Sequence, residues 1–367
     1  MPVRILIVTA AFGEGHNSAA RNLALAAEEM GAECRVEDPC MIGAPRSTRL
    51  LCKGYRYVTT HHPRLWHRIY RSTGDVDFSK QRLPLMRGPE QELARSIDAF
   101  KPDAIVSTYP LYPYFLERIL VDRPPVPVIT VVTDSFEINS AWLNAPANAW
   151  LVTDDETRRR MIEQSLDPGQ VIDTGFCVDP KFSRVPVLAS DSPVDSFDVL
   201  YFATPKLPHV RRISKAILKA SPNTKVTIVL GRNVRFLYER AKEIKDRFPG
   251  RVRIKGWTRK VPELLASHHL VVGKAGGATV HEAIAARCPM LVHHLVPGQE
   301  EGNLELLRQI GGGSLASSPE AIQTQISDML SENAQGWRRM KTALNRHGRN
   351  AGGLAAARFI IDQIGHS

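Results

Sequence analysis

The sequence predicts an α/β protein built from two successive parallel-sheet domains. Three observations carry this. Apolar runs of strand length alternate with helical patterns, the alternation restarts after a Pro- and Ser-rich interruption, and 367 residues are too many for one ordinary core and about right for two. Alternation of this kind implies βαβ units.

The first strand is RILIVTA. Ile5 to Phe12 has the look of a signal h-region, but it runs directly into Gly13-Glu14-Gly15-His16 with no small-residue cleavage site. A helix is expected from about Ser18 to Gly31, capped by Asn17 or Ser18 and stopped at the glycine. CRVEDP, DAIVSTY, VPVITVVTD and AWLVTD follow as strands. Periodicity is lost between Pro180 and Phe197, where Pro and Ser accumulate, so residues 181–197 read as a linker between domains at 1–180 and 198–367. The second domain opens with DVLYFAT and a basic helix. KVTIVLG, a helix near Arg235 to Phe248, VRIKGW, a short helix, LVVGKAGG, a helix and PMLVHH come next. A last helical stretch from Trp337 to Ile364, broken near Gly352-Gly353, either caps the second domain or returns to the first.

Composition excludes several classes. Apolar content of 43% with 23% charged residues describes a soluble globular protein, and no apolar run reaches the ~18 residues that cross a bilayer. Five scattered cysteines, never in a C-x-x-C pair, support neither a disulfide framework nor a zinc ribbon, which points to the cytoplasm. The net charge of +10 is uneven: residues 1–180 hold 20 Lys/Arg against 23 Asp/Glu, the rest 28 against 15. Two basic blocks, Arg46 to Arg87 and Lys206 to Lys260, are either solvated faces or surfaces for anions.

Three motifs carry chemistry. An apolar strand ends at Gly273, just before KAGGATVHEA, and Gly276 and Gly277 permit positive φ and close approach to a phosphate. The helix then directs free N–H groups and its positive dipole end at that cradle, with Thr279 as an extra donor. Glu282 lies one turn further on the same face, repelled by phosphate and suited to accept from a ribose diol, or else a first-turn acid that complements the dipole. One βα unit later, the loop Pro297 to Asn303 offers Gln299, Glu300 and Asn303 to a ring of sugar hydroxyls. Near the N-terminus, Gly13-x-Gly15-His16 follows the first strand; it lacks the third glycine of a dinucleotide fingerprint, and places His16 beside residues that give it no cover. In VVTDSFEINSAW, Asp134 stands where a strand gives way to a loop, as a reactive carboxylate or a turn residue.

Taken together, TAAFGEGHNSAA, VVTDSFEINSAW with AWLVTDDET, VLGRN, KGWTRKVPELL, KAGGATVHEA and LVPGQEEGN resemble the inverting GT-B glycosyltransferases of family 28 type. These include monogalactosyldiacylglycerol synthase and the processive diacylglycerol glucosyltransferases. The resemblance covers nearly the whole chain and implies two Rossmann-like domains facing a cleft, the first for a lipid acceptor and the second for a UDP-sugar. It implies that Gly276, Gly277 and Thr279 serve the diphosphate, Glu282 the ribose, the backbone around Trp257 the uracil, and Gln299, Glu300 and Asn303 the sugar, with Lys274 also among the substrate-binding positions. Gly15, Gly231 and Asn233 fall in motifs counted with the substrate-binding positions. His16 and Asp134 match the family's cleft histidine and the aspartate of its VTD motif, either of which is the base. The sequence departs from the family at Asn139, where the glucosyltransferases often carry histidine, and at His268-His269, which replaces an acidic residue.

The implied chemistry is an in-line transfer of a hexosyl unit to a membrane lipid such as diacylglycerol, without cofactor or metal, the helix dipole standing in for a cation. The one D-x-D, Asp75-Val76-Asp77, follows no apolar strand and reads as a turn. Arg46 to Arg87 interleaves aromatics with Arg56, Arg64, Arg68 and Arg71 around Trp66, the mixture that seats a protein on an anionic lipid surface. Peripheral, monotopic placement at the cytoplasmic membrane face is therefore expected, without nucleic acid as partner. The competing readings are a UDP-N-acetylglucosamine 2-epimerase of the same architecture and a non-catalytic anion- or membrane-binding protein. Neither the sugar nor the oligomeric state is fixed by the sequence.

Overall fold

The computed structural model describes residues 2–62, 65, 66, 68, 69, 86–136, 138–204, 209–298, 300–348 and 351–365, with the side chains of Thr60 and Asn233 set aside. Within these residues lie twelve strands. They are β1 (Arg4–Val8), β2 (Glu33–Glu37), β3 (Ala104–Ser107), β4 (Val128–Val131), β5 (Ala149–Val152), β6 (Val171–Asp173), β7 (Phe197–Phe202), β8 (Thr224–Val229), β9 (Val252–Lys255), β10 (Leu270–Lys274), β11 (Met290–His294) and β12 (Gly313–Leu315). The helices are α1 (Glu14–Glu29), α2 (Pro39–Gly43), α3 (Pro45–His61), α4 (Arg87–Phe100), α5 (Tyr112–Leu120), α6 (Ser140–Leu143) and α7 (Asp155–Glu163). They continue as α8 (His209–Ala220), α9 (Val234–Arg247), α10 (Val261–Ser267), α11 (Gly277–Ala285), α12 (Glu301–Ile310), α13 (Pro319–His347) and α14 (Gly352–Gly365).

The chain divides into two units, one of residues 1–180, 296–302 and 351–367, the other of 181–295 and 303–350. In the first unit the sheet order is β2-β1-β3-β4-β5-β6, with every pairing parallel. Buried strands such as β3, AIVS, carry no polar face because helices cover both sides. Leu6, Val8, Leu93, Ile105, Tyr112 and Leu116 form its main core. In the second unit the order is β12-β11-β10-β7-β8-β9, again parallel, around a core that includes Val199, Ile217, Val226, Leu270, Leu291 and Trp337.

Each order reverses direction once. The reversal lies between β1 and β3 in the first sheet and between β7 and β10 in the second. Ligands of open α/β sheets bind beyond the carboxyl ends of the strands at such reversals, where the adjacent loops splay to opposite faces.

One local expectation in the first unit needs correction. Helix α1 starts at Glu14 rather than near Ser18; its N-cap is Gly13, extended at φ −169°, so Asn17 is inside the helix and its Oδ1 accepts from Thr9 Oγ1 at 3.1 Å instead of capping. The helical stretch expected from Trp337 begins just past a kink in α13, which itself starts at Pro319, capped by Ser318 Oγ; Glu332, Asn333 and Ala334 have φ of 50°, 57° and 60° at the kink, and the break expected near Gly352 falls between His347 and Gly352. After that break comes α14, which packs on α1 in the first unit. Gly352 fits there because a β-carbon would stand 2.4 Å from the Gly175 and Phe176 backbones.

Candidate active site

In the first unit the segments after β1, β3 and β4 bring His16, Thr108, Tyr109, Thr133, Asp134 and Trp142 together. His16 sits in the first turn of α1, just past the end of β1. Its carbonyl accepts from Thr108 Oγ1 at 3.3 Å and its Nδ1 is 2.9 Å from Thr133 Oγ1. The imidazole stands edge-on to Tyr109, ring centroids 5.3 Å apart, and 6.0 Å from Trp142. Gly13 and Gly15 leave space beside it: a β-carbon at Gly15 would meet nothing within 4 Å, and at Gly13 only the His16 ring. The histidine is nonetheless half-buried rather than open to solvent. Burial pulls its pKa down to about 4, against a smaller opposing effect of Thr108, so the ring is neutral near pH 7. In the tautomer whose Nδ1–H donates to Thr133 Oγ1, Nε2 is unprotonated and able to take a proton.

Asp134 follows Thr133 directly and is half-buried. Its Oδ2 accepts the Trp142 indole N–H at 2.9 Å. Trp142 is 1% exposed and is fixed in turn by its carbonyl, which accepts from Trp150 Nε1 at 2.9 Å. His16 and Asp134 thus belong to one cluster, joined through Thr133 along the chain and through Trp142 in space. Thr133, Thr108, Tyr109 and Trp142 were not singled out from the sequence. Trp142 lies eight residues past Asp134 across a non-periodic loop, and no spacing rule announces that pairing. Asn139 has a local duty: its Oδ1 caps α6 by accepting from Ala141 N at 2.9 Å.

In the second unit, β10 leads into α11 at the sheet reversal. The expectation of positive φ at the glycine pair is not met: Gly276 is the N-cap at φ −70°, ψ 140°, and Gly277 is the first helical residue. An extended cap entering a helix already turns the chain, so no left-handed residue is needed. The first three N–H groups of a helix, here those of Gly277, Ala278 and Thr279, have no partner within it. The Thr279 methyl faces Gly273, 3.6 Å from where a β-carbon there would stand. Glu282 is half-buried one turn on. At the far end of α11 the buried Lys341 ammonium donates to the Arg287 carbonyl at 2.6 Å, a positive charge where the helix dipole favours one. Burial pushes its pKa down to about 8.

Asn303 supports the same cradle. It is 4% exposed, and its Nδ2 donates to the Ala275 carbonyl at 3.0 Å. Its Oδ1 has no protein partner, an acceptor left at the strand-to-helix turn. Glu300 is 7% exposed and closes its own loop, accepting from Val296 N at 2.8 Å, while Gly298 turns that loop at φ 83°. Gly231 opens a 3-10 turn after β8 at φ 58°. Trp257 is 55% exposed, with the Arg259 guanidinium 5.5 Å from its ring centroid. Lys274 is half-buried at the end of β10.

His268 and His269 are structural. His268 lies 2.6 Å from the Leu264 carbonyl and 2.9 Å from Thr227 Oγ1; His269 Nδ1 accepts from Asp198 N at 3.1 Å. Gln299, Arg64, Arg71, Asp75 and Asp77 lie outside the described residues, as does the Asn233 side chain. Arg56 and Arg68 are exposed, and Trp66 is half-buried with its ring edge-on to Tyr55 at 4.8 Å. Among the described residues no group of three or more His, Cys, Asp or Glu is placed to hold a metal ion, and no helix is long and apolar enough to cross a membrane.

Comparison with known proteins agrees with this geometry. Residues 16–178 match the family described as "Monogalactosyldiacylglycerol (MGDG) synthase". The chain is 26% identical to the chloroplastic monogalactosyldiacylglycerol synthase of Spinacia oleracea over 95% of its own length and 70% of that protein. It is 25% identical to a processive diacylglycerol beta-glucosyltransferase of Staphylococcus aureus over 99% of its length and 94% of the relative. The crystal structure of Acinetobacter baumannii MurG superposes with a TM-score of 0.62 at 15% identity, covering 98% of this chain and 100% of that one. Two Rossmann-like units and similarity along the whole chain mark the protein as a glycosyltransferase of GT-B fold, similar to monogalactosyldiacylglycerol synthase and the processive diacylglycerol glucosyltransferases.

Proposed function

We propose that the protein transfers a hexosyl unit from a UDP-sugar to a hydroxyl of a diacylglycerol-type membrane lipid, with inversion at the anomeric carbon and without a metal ion. The observation that carries this reading is the His16–Thr133–Asp134–Trp142 cluster. A neutral imidazole at the reversal of the first sheet and a carboxylate past the end of neighbouring β4, each oriented by a hydrogen bond, stand together there.

In the proposed reaction the acceptor oxygen attacks the anomeric carbon and its proton passes to the His16–Asp134 pair. The bond from that carbon to the diphosphate breaks, and UDP leaves with the electron pair. The N–H groups of Gly277, Ala278 and Thr279 are offered to the diphosphate, where charge develops. Glu282 takes the ribose hydroxyls. Asn303 Oδ1, an acceptor without a donor among the described residues, suits a sugar hydroxyl, with Gln299 and Glu300 just before it in sequence.

The lipid is reached from the bilayer through α3. This helix exposes Leu50 (71%), Leu51 and Tyr57 beside Arg49, Lys53 and Arg56, an apolar and basic mixture suited to an anionic lipid interface. Incubation with a panel of UDP-hexoses and a total membrane-lipid extract, read by product mass, tests the proposal. A new hexosyl-lipid supports it. Sugar-nucleotide isomerisation without any lipid product would instead favour an epimerase of the same fold.

A further inference from the structure

The turn that carries Asp134 is held in a shape its own residues resist. Phe136 has φ 64°, in the left-handed region that a β-carbon and a bulky ring disfavour, yet it is only 3% exposed. The next βα unit fastens it at three points. The Phe136 N–H donates to Thr157 Oγ1 at 3.0 Å, its carbonyl accepts from Arg160 Nη1 at 3.2 Å, and the Arg160 guanidinium lies 4.9 Å from its ring centroid. One residue earlier, Ser135 Oγ is 2.9 Å from Thr153 Oγ1.

The direction of these bonds follows from Asp154. Its carboxylate only accepts, and Oδ2 receives the hydroxyls of Thr153 at 2.7 Å and Thr157 at 2.8 Å. Each threonine has one hydroxyl proton and spends it there, so each presents a lone pair to the turn, Thr153 to the Ser135 hydroxyl and Thr157 to the Phe136 amide. Arg160 is anchored as well, its Nε 2.7 Å from Glu156 Oε1. A strained residue persists only where its surroundings over-determine it. Here the restraint ends two residues from Asp134, whose carboxylate is aimed at Trp142.

We propose that Thr157 and Arg160 are positioning residues for Asp134: by holding Ser135 and Phe136 in their strained turn, they fix the carboxylate against the Trp142 indole in the geometry that transfer uses. This rests on the proposed glycosyl transfer for its kinetic readout, and has a second readout that does not.

Thr157→Val keeps the volume and removes the lone pair. In the full chain it is expected to lower kcat per folded molecule about tenfold, because a small displacement of a reacting group is costly, while KM for the donor stays within about twofold. Thr157→Ser retains the hydroxyl and should keep near-parent turnover. Adding Phe136→Gly to Thr157→Val should recover most of the loss, since glycine takes positive φ without restraint. The independent readout is the indole ¹⁵N–¹H resonance of Trp142, identified by its disappearance in Trp142→Phe. It should move in Thr157→Val and return in Thr157→Ser and in the double variant. A Trp142 resonance that stays put in Thr157→Val, or turnover lost equally in Thr157→Ser, would overturn the assignment. If the parent protein makes no hexosyl-lipid, the transfer reading fails by itself, and the resonance still decides this one.

Discussion

The Trp142 indole donates to Asp134 Oδ2 at 2.9 Å while its ring lies 6.0 Å from that of His16, so one buried side chain touches both proposed proton acceptors. Trp142→Phe keeps an aromatic ring in place and removes the donor. Turnover should fall about tenfold, near the lower end of what a hydrogen bond to a charged group contributes, and UDP affinity by calorimetry should not change. His16→Gln and Asp134→Asn are expected to cut turnover by ~10² or more, again with UDP affinity intact. A variant of either residue with near-normal turnover would remove that residue from the proton-transfer step. Chelator should leave the rate alone, and a loss restored by Mg²⁺ would contradict the metal-free route.

The depressed pKa of His16 has a stability consequence of definite sign. Burial holds the folded-state value at about 4 against 6.5 for the free side chain, so between those values the unfolded chain binds the extra proton. Stability is fully present above about pH 6.5 and is lost as pH falls toward about 4, by at most ~3 kcal/mol from this residue. His268 and His269, also depressed by burial, act in the same direction. Thermal unfolding followed between about pH 4.5 and 7 should therefore show a slope that His16→Gln reduces without abolishing. An identical slope in parent and variant would mean that His16 titrates normally.

In the second unit, Glu282→Ala is expected to weaken UDP by ~1.5 to ~3 kcal/mol, the scale of a charge-assisted hydrogen bond. Asn303→Ala should weaken a UDP-hexose more than UDP itself, because the acceptor it removes is the one left for the sugar. Titrating both ligands into both variants separates the roles, and equal losses for UDP and UDP-hexose in Asn303→Ala would move that residue to the nucleotide.

The proposed membrane contact is α3. Each cation near an anionic surface contributes ~1 kcal/mol, so changing Arg49, Lys53 and Arg56 together to Ala should remove most liposome flotation on anionic vesicles while UDP affinity holds. All three are exposed, and their loss should leave thermal unfolding nearly unchanged. Flotation indifferent to lipid charge and to these three residues would place the contact elsewhere.

How much of this was legible in the sequence depended on the length of the signal. RILIV and TKVTIV declare themselves because several consecutive apolar residues are needed to fill both faces of a buried parallel strand. β6 and β12, at three residues each, are too short to show any period, and their pairing is decided by the neighbouring strand. The first turn of α1 was missed because Glu14-Gly15-His16 reads as loop composition, whereas Gly13 is the residue that supplies the extended cap. His16 and Asp134 could be picked out singly, as reactive types at strand ends. Their common neighbour Trp142 could not, since nothing local distinguishes it from a core tryptophan. The left-handed run Glu332, Asn333 and Ala334 was equally invisible: good helix formers are overruled there by tertiary packing that buries Ala334 and presses Gly336 against Met329.

The return of α14 to α1 builds the first unit from segments on either side of the second. Ala19, Ala26 and their neighbours on α1 emerge before the second unit in synthesis, but the helix that helps cover them is made after the whole of it. During translation that small-residue face waits, and the order of assembly is inverted: the unit encoded in the middle can close before the one encoded first. A nonsense codon or proteolytic nick within α14 would therefore register as damage to the first unit, where the proposed proton acceptors are, with the proposed phosphate site untouched.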